Sequence, residues 1–288
     1  MPKNITFYYP GKYFPSLSVT GGACALECKH CNRHYLKGMK DVSSPEKLWN
    51  VALGISASGG YGFLLSGGSD ISGRVNIKRF LPVIKRIKDD TNLVINFHSG
   101  VIHSREEAFE IYASGIDIVS LDFVTSDETI KNVYGTSNKY LDYTNSLKYF
   151  IETGIAVVPH ITIGLHGGKI VGEYQAIDAL SEFGNDVKEV VFIIFIPTRG
   201  TAYEGVPIVN PEDVDAVFRY ARKKLPGKLV LGCMRPRKPE YEMSAVNNNF
   251  DGIVIPGSAS RKFTESKGME IKDVKSCCSL MAIDDVFI

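Results

Sequence analysis

The chain has 288 residues and a net charge of +1, with 44% hydrophobic and 23% charged residues. This composition is typical of a globular protein with enough apolar material for a large core. The near-neutral charge gives no electrostatic case for nucleic acid or a membrane surface, and the longest apolar run, residues 190–197, is too short to cross a bilayer. Because the N-terminus shows no signal-peptide pattern, we expect a cytoplasmic protein.

From residue 16 onward, apolar runs alternate with amphipathic helical stretches. Such alternation predicts a parallel sheet that is buried on both faces. The predicted strands are Leu17–Thr20, Gly62–Ser66, Leu93–Phe97, Ile118–Asp122, Ile155–Ile163, Val190–Ile196, Lys228–Gly232 and Gly252–Ile255. The predicted helices include Pro45–Ala57, Ile77–Asp89, Ser104–Ala113, Ser146–Glu152, Val171–Glu182 and Pro211–Lys224. Eight such units over residues 16–257 favour a closed (β/α)8 barrel of the TIM type, with a partial (β/α)6 barrel as the alternative.

Two segments fall outside this alternation. Residues 1–15 are aromatic and contain Pro10, Gly11 and Pro15, which predicts an irregular N-terminal lead-in. Residues 258–288 are expected to begin with the last helix and then to run back over the barrel mouth as a C-terminal extension.

Three of the six cysteines follow the first predicted strand at a C-x3-C-x2-C spacing, as Cys24, Cys28 and Cys31. A short loop with this spacing can turn three thiolates toward one point, where they hold three irons of a cubane cluster and leave the fourth iron open. An open iron can bind and reduce a small molecule. A structural zinc site with His30 or His34 as the fourth ligand is the alternative on spacing alone, and three unrelated buried cysteines are another.

The cysteine motif resembles the signature of the radical S-adenosylmethionine (SAM) superfamily. The resemblance implies a [4Fe–4S] cluster whose open iron holds the amino and carboxylate groups of SAM. Electron transfer from that cluster then produces a 5′-deoxyadenosyl radical. After the second predicted strand come Gly67, Gly68, Ser69 and Asp70. They resemble the GGE motif that binds the SAM amino group in this superfamily, although the acid stands one position later here.

Polar side chains at the ends of later strands are further candidates for cofactor binding, since barrel chemistry is located at the carboxyl ends of the strands. Side chains two positions apart in a strand share a face, which pairs several of these residues. The candidates are Asn96, His98, Ser120, Asp122, His160 and Arg199, and His30 within the cysteine loop is a further candidate. Capping a helix or satisfying a backbone group is the alternative role for each of them.

The remaining cysteines are Cys233, at the end of the seventh predicted strand, and the adjacent pair Cys277 and Cys278. If the C-terminal extension covers the barrel mouth, these three thiols can hold an auxiliary [4Fe–4S] cluster opposite the SAM site. Three residues are candidates for a fourth, non-cysteine ligand: Arg235, Ser258 and Ser260. The alternatives are a Cys233 that only packs and a vicinal pair that forms a disulfide or a redox switch.

Nearly the whole chain is similar to the biotin-synthase-like branch of radical SAM enzymes and, within it, to the archaeal-type two-protein lipoyl synthase. The stretches that carry this resemblance are Cys24–Cys31, Val119–Tyr134, Pro159–Ile170 and Gly232–Pro236. The second, N-terminal C-x4-C-x5-C set of the bacterial lipoyl synthase is missing from this sequence.

The resemblance implies sulfur insertion. The deoxyadenosyl radical removes hydrogen from an unactivated carbon of a protein-bound octanoyl chain, and the carbon radical takes a sulfide from the auxiliary cluster. The implied partners are an octanoylated lipoyl-carrier protein, a second radical SAM protein and an electron donor such as ferredoxin. Three alternatives stay open: a biotin-synthase-like enzyme with a free small substrate, a radical SAM mutase or ring-forming enzyme with structural extra cysteines, and a zinc-stabilised barrel that binds without catalysis.

Overall fold

The computed structural model describes residues 4–283, which form eleven parallel strands with helices between most of them. The strands are β1 (Asn4–Tyr8), β2 (Ser16–Ser18), β3 (Lys40–Asp41), β4 (Gly62–Ser66), β5 (Val94–His98), β6 (Ile118–Asp122), β7 (Ala156–Ile163), β8 (Glu189–Ile194), β9 (Lys228–Leu231), β10 (Gly252–Val254) and β11 (Glu270–Val274). The helices are α1 (Pro45–Ala57), α2 (Leu81–Asp90), α3 (Arg105–Ala113), α4 (Asp127–Thr129), α5 (Tyr140–Thr153), α6 (Glu173–Ser181), α7 (Pro211–Lys224), α8 (Pro239–Asn247) and α9 (Ser258–Ser266). No helix within residues 4–283 is both long and apolar enough to cross a membrane.

Two separate apolar layers hold the sheet because alternate residues of each strand point to opposite faces. In β5, Ile95 and Phe97 belong to the outer layer, which packs beneath the helices. Val94 belongs to the inner layer, together with Val158 and Val230 from other strands. The sheet therefore curls around an interior of its own, with the carboxyl ends of all strands at one end, the mouth.

The curled sheet is open, and the closed (β/α)8 barrel is not confirmed. The strand order is β11-β1-β10-β9-β8-β7-β6-β5-β4-β2-β3. Within residues 4–283, no strand pairing joins the edge strands β11 and β3. Closure requires β10 to pair with β2. Instead, β1 occupies the free edge of β10, pairing Thr6 with Gly252, and β11 then adds to β1. The result is a partial barrel.

All eight predicted strands are present as β2 and β4–β10, each bound agreeing to within two residues. The prediction of an irregular lead-in was wrong for residues 4–8, which form β1. β1 is an aromatic run followed closely by Pro10. Its partner strands, β10 and β11, lie about 250 residues further along the sequence, so no local sequence pattern predicts the strand. The last helix, expected from residue 258, is confirmed as α9, whereas α8 was not predicted.

The C-terminal tail, residues 275–283, enters the barrel rather than covering its mouth. It leaves β11 at the mouth and continues as a short 3₁₀ helix, Cys278–Ala282. Cys278, Leu280 and Ala282 are buried in the inner apolar layer. The tail therefore fills an interior that the open sheet leaves unfilled. Residues 284–288 of the predicted C-terminal extension lie outside the described residues.

Glu189, the first residue of β8, is fully buried at the end of the barrel opposite the mouth. Neither of its carboxylate oxygens has a hydrogen-bond partner among residues 4–283, although the backbone of Ala282 lies close by. Burial, and then the charge of Cys277, raise the pKa of Glu189 well above its ordinary value. Folding therefore favours the neutral form of this carboxyl group.

We expect Glu189→Gln to stabilise the protein at pH 8 but not at pH 5. A carboxyl group whose pKa is raised on folding contributes its stability below its ordinary pKa and loses it as pH rises toward the folded value. Gln keeps the neutral shape, so the melting temperature should rise by roughly 2–4 °C per kcal/mol relieved. Thermal unfolding of wild type, Glu189→Gln and the exposed control Glu265→Gln at both pH values tests this. A lower melting temperature for Glu189→Gln at pH 8 contradicts it.

Candidate functional site

The loop that carries Cys24, Cys28 and Cys31 follows β2 at the mouth and is fastened to three neighbouring segments. The Ala25 N–H donates to the Ser69 carbonyl at 2.8 Å, which ties the loop to the turn after β4. The Lys29 N–H donates to the Val133 carbonyl at 2.9 Å, and the Lys29 carbonyl accepts from Tyr203 N–H at 3.2 Å. The loop is therefore held independently of its thiols.

Gly68 lies so close to the cysteine loop that no side chain fits there. A Cβ at this position would stand 2.0 Å from the Ala23 carbonyl oxygen and 2.6 Å from the Cα and Cβ of Cys24. The Gly68 N–H donates to Thr20 Oγ1 at 2.7 Å, which fixes the approach. The Gly-Gly turn thus sets the position of the first cysteine, a structural role beside the predicted binding of SAM by Gly67 and Gly68.

The three thiols are half-buried and close enough to affect one another electrostatically. Burial raises the pKa of Cys28 to about 12, and the charges of Cys31 and Cys24 act in the same direction. Burial also raises the pKa of Cys31. Crowded thiols of this kind are stabilised as thiolates when a cationic metal group binds them. The loop therefore fits an iron–sulfur cluster.

A single metal ion fits the described residues less directly. Within residues 4–283, no three His, Cys, Asp or Glu side chains converge on one point that could hold an ion. A cubane cluster does not require the three thiols to converge on one metal ion, because each thiolate binds a different iron.

His30 lies inside the cysteine loop with one ring nitrogen free. Its ring packs edge-on against Tyr134, with centroids 5.5 Å apart. Burial lowers the pKa of His30 to about 4, and its Nδ1 has no hydrogen-bond partner among the described residues. A neutral ring with an unused nitrogen beside three thiols remains a candidate for cofactor binding.

Ser69 and Asp70 are engaged in holding the turn after β4. The Ser69 carbonyl accepts from Cys24 Sγ at 3.7 Å as well as from the Ala25 N–H. Partial burial works to raise the pKa of Asp70, but hydrogen bonds from Ser72 and the charge of Arg74 lower it overall. The Asp70 carboxylate accepts from Ser72 Oγ at 2.6 Å and from Arg74 Nε at 3.2 Å. Its binding of SAM stays a prediction.

His98, Asp122 and His160 form one group on the inner face of β5, β6 and β7. His98 Nε2 lies 3.4 Å from Asp122 Oδ1, and the two histidine rings are 5.3 Å apart. The side chains of His98 and Asp122 are 29% and 36% exposed, so a ligand in the barrel mouth can reach them. The structure brings together three of the residues predicted at strand ends.

The pKa values of the two histidines in this group shift in opposite directions. Burial alone lowers the pKa of His98, but Asp122 outweighs that effect and the pKa is raised. Burial lowers the pKa of His160 to about 4, and the charge of His98 acts in the same direction. The pKa shifts therefore favour a charged His98 beside Asp122 and leave His160 neutral at neutral pH.

Asn96 and Ser120, also predicted to bind cofactor, lie deeper in the barrel and contact the tail. Asn96 Nδ2 donates to Cys277 Sγ at 3.6 Å, and Ser120 Oγ lies 3.2 Å from Ser279 Oγ. Arg199 is exposed in the turn after β8, next to Gly200, whose carbonyl accepts from Asn32 in the cysteine loop at 3.3 Å. The roles of all three in SAM binding stay predictions.

The tail carries Cys277 and Cys278 into the barrel, whereas their convergence with Cys233 on one cluster stays a prediction. Cys233 follows β9 at the mouth and keeps an exposed surface. Burial raises the pKa of Cys233, and the charge of Cys277 acts in the same direction, so the two sulfurs are close enough to interact electrostatically. Hydrogen bonding from Cys278, with help from Ser279 and Asn96, lowers the pKa of Cys277 to about 6 against the effect of burial.

Two of the three candidates for a fourth ligand are engaged elsewhere. Arg235 donates to Glu242 Oε1 at 2.5 Å and to the Gly232 carbonyl at 2.6 Å, and its side chain is fully buried. Ser260 donates to the other oxygen of Glu242. Arg235 and Ser260 therefore connect β9 to α8 and α9, whereas Ser258 is exposed at the start of α9.

Sequence reasoning missed several residues that build this site. Val133 and Tyr134 belong to a π-helical turn that supports the cysteine loop. Glu173 holds the loop after β7, because its two oxygens accept from Gly164 N–H at 2.7 Å and Val171 N–H at 2.6 Å. Val133 and Tyr134 contact a loop about 100 residues earlier in the chain, and Glu173 accepts from the backbone of its own loop; neither role leaves a recognisable sequence pattern.

The comparisons with known proteins agree with the geometry. Residues 18–170, just over half of the chain, match the model of the radical SAM superfamily. A biotin synthase of Carboxydothermus hydrogenoformans is 22% identical over 223 residues, which are 74% of this chain and 66% of that protein. A biotin synthase of Acetivibrio thermocellus is 23% identical over 270 residues, 88% of this chain and 82% of that protein.

A solved structure shows the same fold. The FeFe-hydrogenase maturase HydG from Carboxydothermus hydrogenoformans superposes with a TM-score of 0.62 at 17% identity, over 89% of this chain and 61% of that one. This chain thus spans less than two thirds of HydG and just under two thirds of the first biotin synthase. At such identity the structural similarity concerns the fold alone.

We expect Gly68→Ala to displace Cys24 and so to weaken iron binding at the loop. Because 1 Å of misplacement can cost about 100-fold in rate, reductive SAM cleavage to 5′-deoxyadenosine should fall by about that factor. Gly22→Ala is the matched control, since Gly22 lies in the same loop and a Cβ added there would meet nothing within 4 Å. Iron content, circular dichroism and the cleavage rate are measured on both variants. Equal rates in the two variants refute the contact.

We expect Arg235 to support the fold instead of binding iron. Arg235→Ala and Glu242→Ala should each cost about 3–5 kcal/mol of unfolding free energy, since each leaves a buried charge unpaired. Denaturant unfolding of both single variants and the double variant measures their coupling. Arg237→Ala is the control, because Arg237 is exposed and contacts only the Ile255 carbonyl at 3.2 Å in the described hydrogen bonds. Unchanged stability of Arg235→Ala together with loss of iron contradicts this prediction.

Proposed function

Because the chain belongs to the radical SAM superfamily, we propose that it is a sulfur-insertion enzyme of the biotin-synthase-like branch, with an auxiliary iron–sulfur cluster as the sulfur source. The proposed substrate is an octanoyl chain bound to a lipoyl-carrier protein. The proposed partners are that carrier protein, a second radical SAM protein and an electron donor such as ferredoxin, and we expect the reaction in the cytoplasm.

The loop thiols Cys24, Cys28 and Cys31 are the residues that would hold the first cluster. When bound there, a four-iron cluster with SAM supplies a carbon-centred radical that can remove hydrogen from an unactivated carbon, which acid–base groups cannot do. The remaining residues bind and orient. Gly68 positions Cys24, and His98 and Asp122, 3.4 Å apart, present polar groups to the polar part of a ligand at the mouth.

One observation supports sulfur insertion over other radical chemistry. The tail brings Cys277 and Cys278 into the interior, where their charges affect that of Cys233 at the mouth end of β9. Two thiols of the tail in the apolar interior, with Cys233 exposed at the mouth and within electrostatic range of Cys277, favour an auxiliary cluster over packing alone. The apolar interior also limits water and stray hydrogen donors, a requirement of any radical reaction.

The octanoyl substrate is proposed from the resemblance to the two-protein lipoyl synthase rather than from a specific contact. The inner-layer valines Val158, Val191, Val230 and Val254 are already covered by the tail, so they do not support an acyl site. A free small substrate, as in the biotin-type alternative, is supported about equally by the biotin synthases among the relatives.

We expect about eight irons per chain after anaerobic reconstitution of the wild type, and about four in the Cys233→Ala, Cys277→Ala, Cys278→Ala triple variant. Acid-labile sulfide should fall in parallel. The matched control is the Cys24→Ala, Cys28→Ala, Cys31→Ala variant, which should also keep about four irons but lose SAM cleavage. About four irons in both wild type and the first variant would refute the auxiliary cluster and sulfur insertion with it.

The substrate is tested separately with the reconstituted wild type, SAM and a reductant. Octanoylated carrier protein and a free ureido acid such as dethiobiotin are offered in parallel, and sulfur incorporation is followed by mass spectrometry. Sulfur in the carrier-bound chain supports the lipoyl-type activity. Sulfur in the free acid instead supports the biotin-type alternative.

A further inference from the structure

Asn96 and Ser120 lie on the inner face of β5 and β6 and are almost completely buried, at 1% and 2% exposure. Their position at strand ends predicted contacts with SAM. The structure shows contacts with the C-terminal tail instead. Since buried polar groups must be hydrogen-bonded to avoid a large desolvation cost, the partners of these two side chains decide what they can bind.

The hydrogen bonds among these residues have one direction. Ser120 Oγ donates to Asn96 Oδ1 at 3.0 Å, because a carbonyl oxygen can only accept. The single hydroxyl proton of Ser120 is then used, so Ser120 accepts in its 3.2 Å contact with Ser279, whose hydroxyl also lies within hydrogen-bond range of Cys277. Asn96 Nδ2 donates to Cys277 Sγ at 3.6 Å. A chain of donors thus runs from Ser279 through Ser120 and Asn96 and ends on the sulfur of Cys277.

This series of hydrogen bonds begins and ends on the tail, since Ser279 and Cys277 are two positions apart in sequence. Asn96 and Ser120 therefore hold the tail at two points, Cys277 and Ser279. A shift of the tail by one residue would place Ser276 or Cys278 opposite Asn96 and would separate Ser279 from Ser120. Ser279 is itself 1% exposed, so a displaced tail leaves buried polar groups unpaired on both sides.

We propose that Asn96, together with Ser120, is a positioning residue that holds the tail and its Cys277 in the barrel interior, and that it is not a SAM ligand. The role of Cys277 as a ligand of the auxiliary cluster rests on the proposed function, whereas the docking of the tail does not. Asn96 acts through Cys277, and both its amide and its carbonyl group are occupied by this task.

The experiment measures tail docking in the metal-free, reduced full-length protein. Iodoacetamide alkylation of Cys277 and Cys278 is followed by peptide mass spectrometry in wild type and in Asn96→Leu, which keeps the side-chain size but removes both hydrogen bonds. Loss of these bonds should raise the alkylation rate of Cys277 about tenfold, through more frequent opening of the tail. Asn138→Leu is the matched control, because Asn138 is also buried and makes its bond to the Ser72 carbonyl, away from the tail.

Ser279→Ala keeps the test decisive if Asn96→Leu does not fold. It removes one tail hydroxyl, leaves the bond between Ser120 and Asn96 intact, and should raise the alkylation rate of Cys277 a few-fold. An unchanged rate in this variant, or an equal rise in Asn138→Leu, overturns the proposal.

A second measurement separates tail positioning from SAM binding. In reconstituted Asn96→Leu, we expect loss of the irons assigned to the auxiliary cluster and a dissociation constant for SAM that stays within about twofold of the wild-type value. A large loss of SAM affinity with unchanged alkylation of Cys277 refutes the proposal. If the wild type binds only four irons, the proposed function fails, and the alkylation result still decides whether Asn96 holds the tail.

Discussion

The structure depends on how the interior of an open parallel barrel is filled. β1 occupies the edge of β10 and prevents closure, so strand side chains alone do not enclose the interior. The tail supplies the missing apolar surface through Cys278, Leu280 and Ala282. Because a void inside a protein forfeits contacts on every side, a segment that fills it is strongly held. The same segment carries Cys277 and Cys278 into the interior, so the packing of the core also places these two thiols.

The two sets of cysteines are held by different means. The first set lies in a loop whose backbone is fastened to the turn after β4 and to the π-helical turn, with Gly68 allowing the closest approach. Burial raises the pKa values of Cys28 and Cys31 in this set, so these thiols gain most from a bound cationic group. In the second set, donors from Cys278, Ser279 and Asn96 surround Cys277 and lower its pKa. At the interior site the hydrogen bonds favour the thiolate form of Cys277, whereas at the mouth the contacts fix the backbone of the cysteine loop.

Between the two sets lie His98, Asp122 and His160, which are accessible from the mouth. Below them the interior is apolar, apart from the hydrogen bonds that hold the tail and the buried carboxyl group of Glu189. The tail fills this apolar interior, so a ligand that enters from the mouth meets the polar groups of His98, Asp122 and His160.

The sequence by itself determined the eight strands that form most of the barrel wall, the three-cysteine loop and the Gly-Gly turn, since each depends on residues that are adjacent or a fixed number of positions apart. It also placed His98, Asp122 and His160 at the mouth, because strand alternation and strand ends are local properties. Only the tertiary structure decided that β1 keeps the barrel open, that the tail enters the interior, and that Arg235 pairs with Glu242. It likewise turned Asn96 and Ser120 toward Ser279 and Cys277. These features join segments up to about 250 residues apart, and their energies come from burial and hydrogen bonding that exist only once the chain has folded.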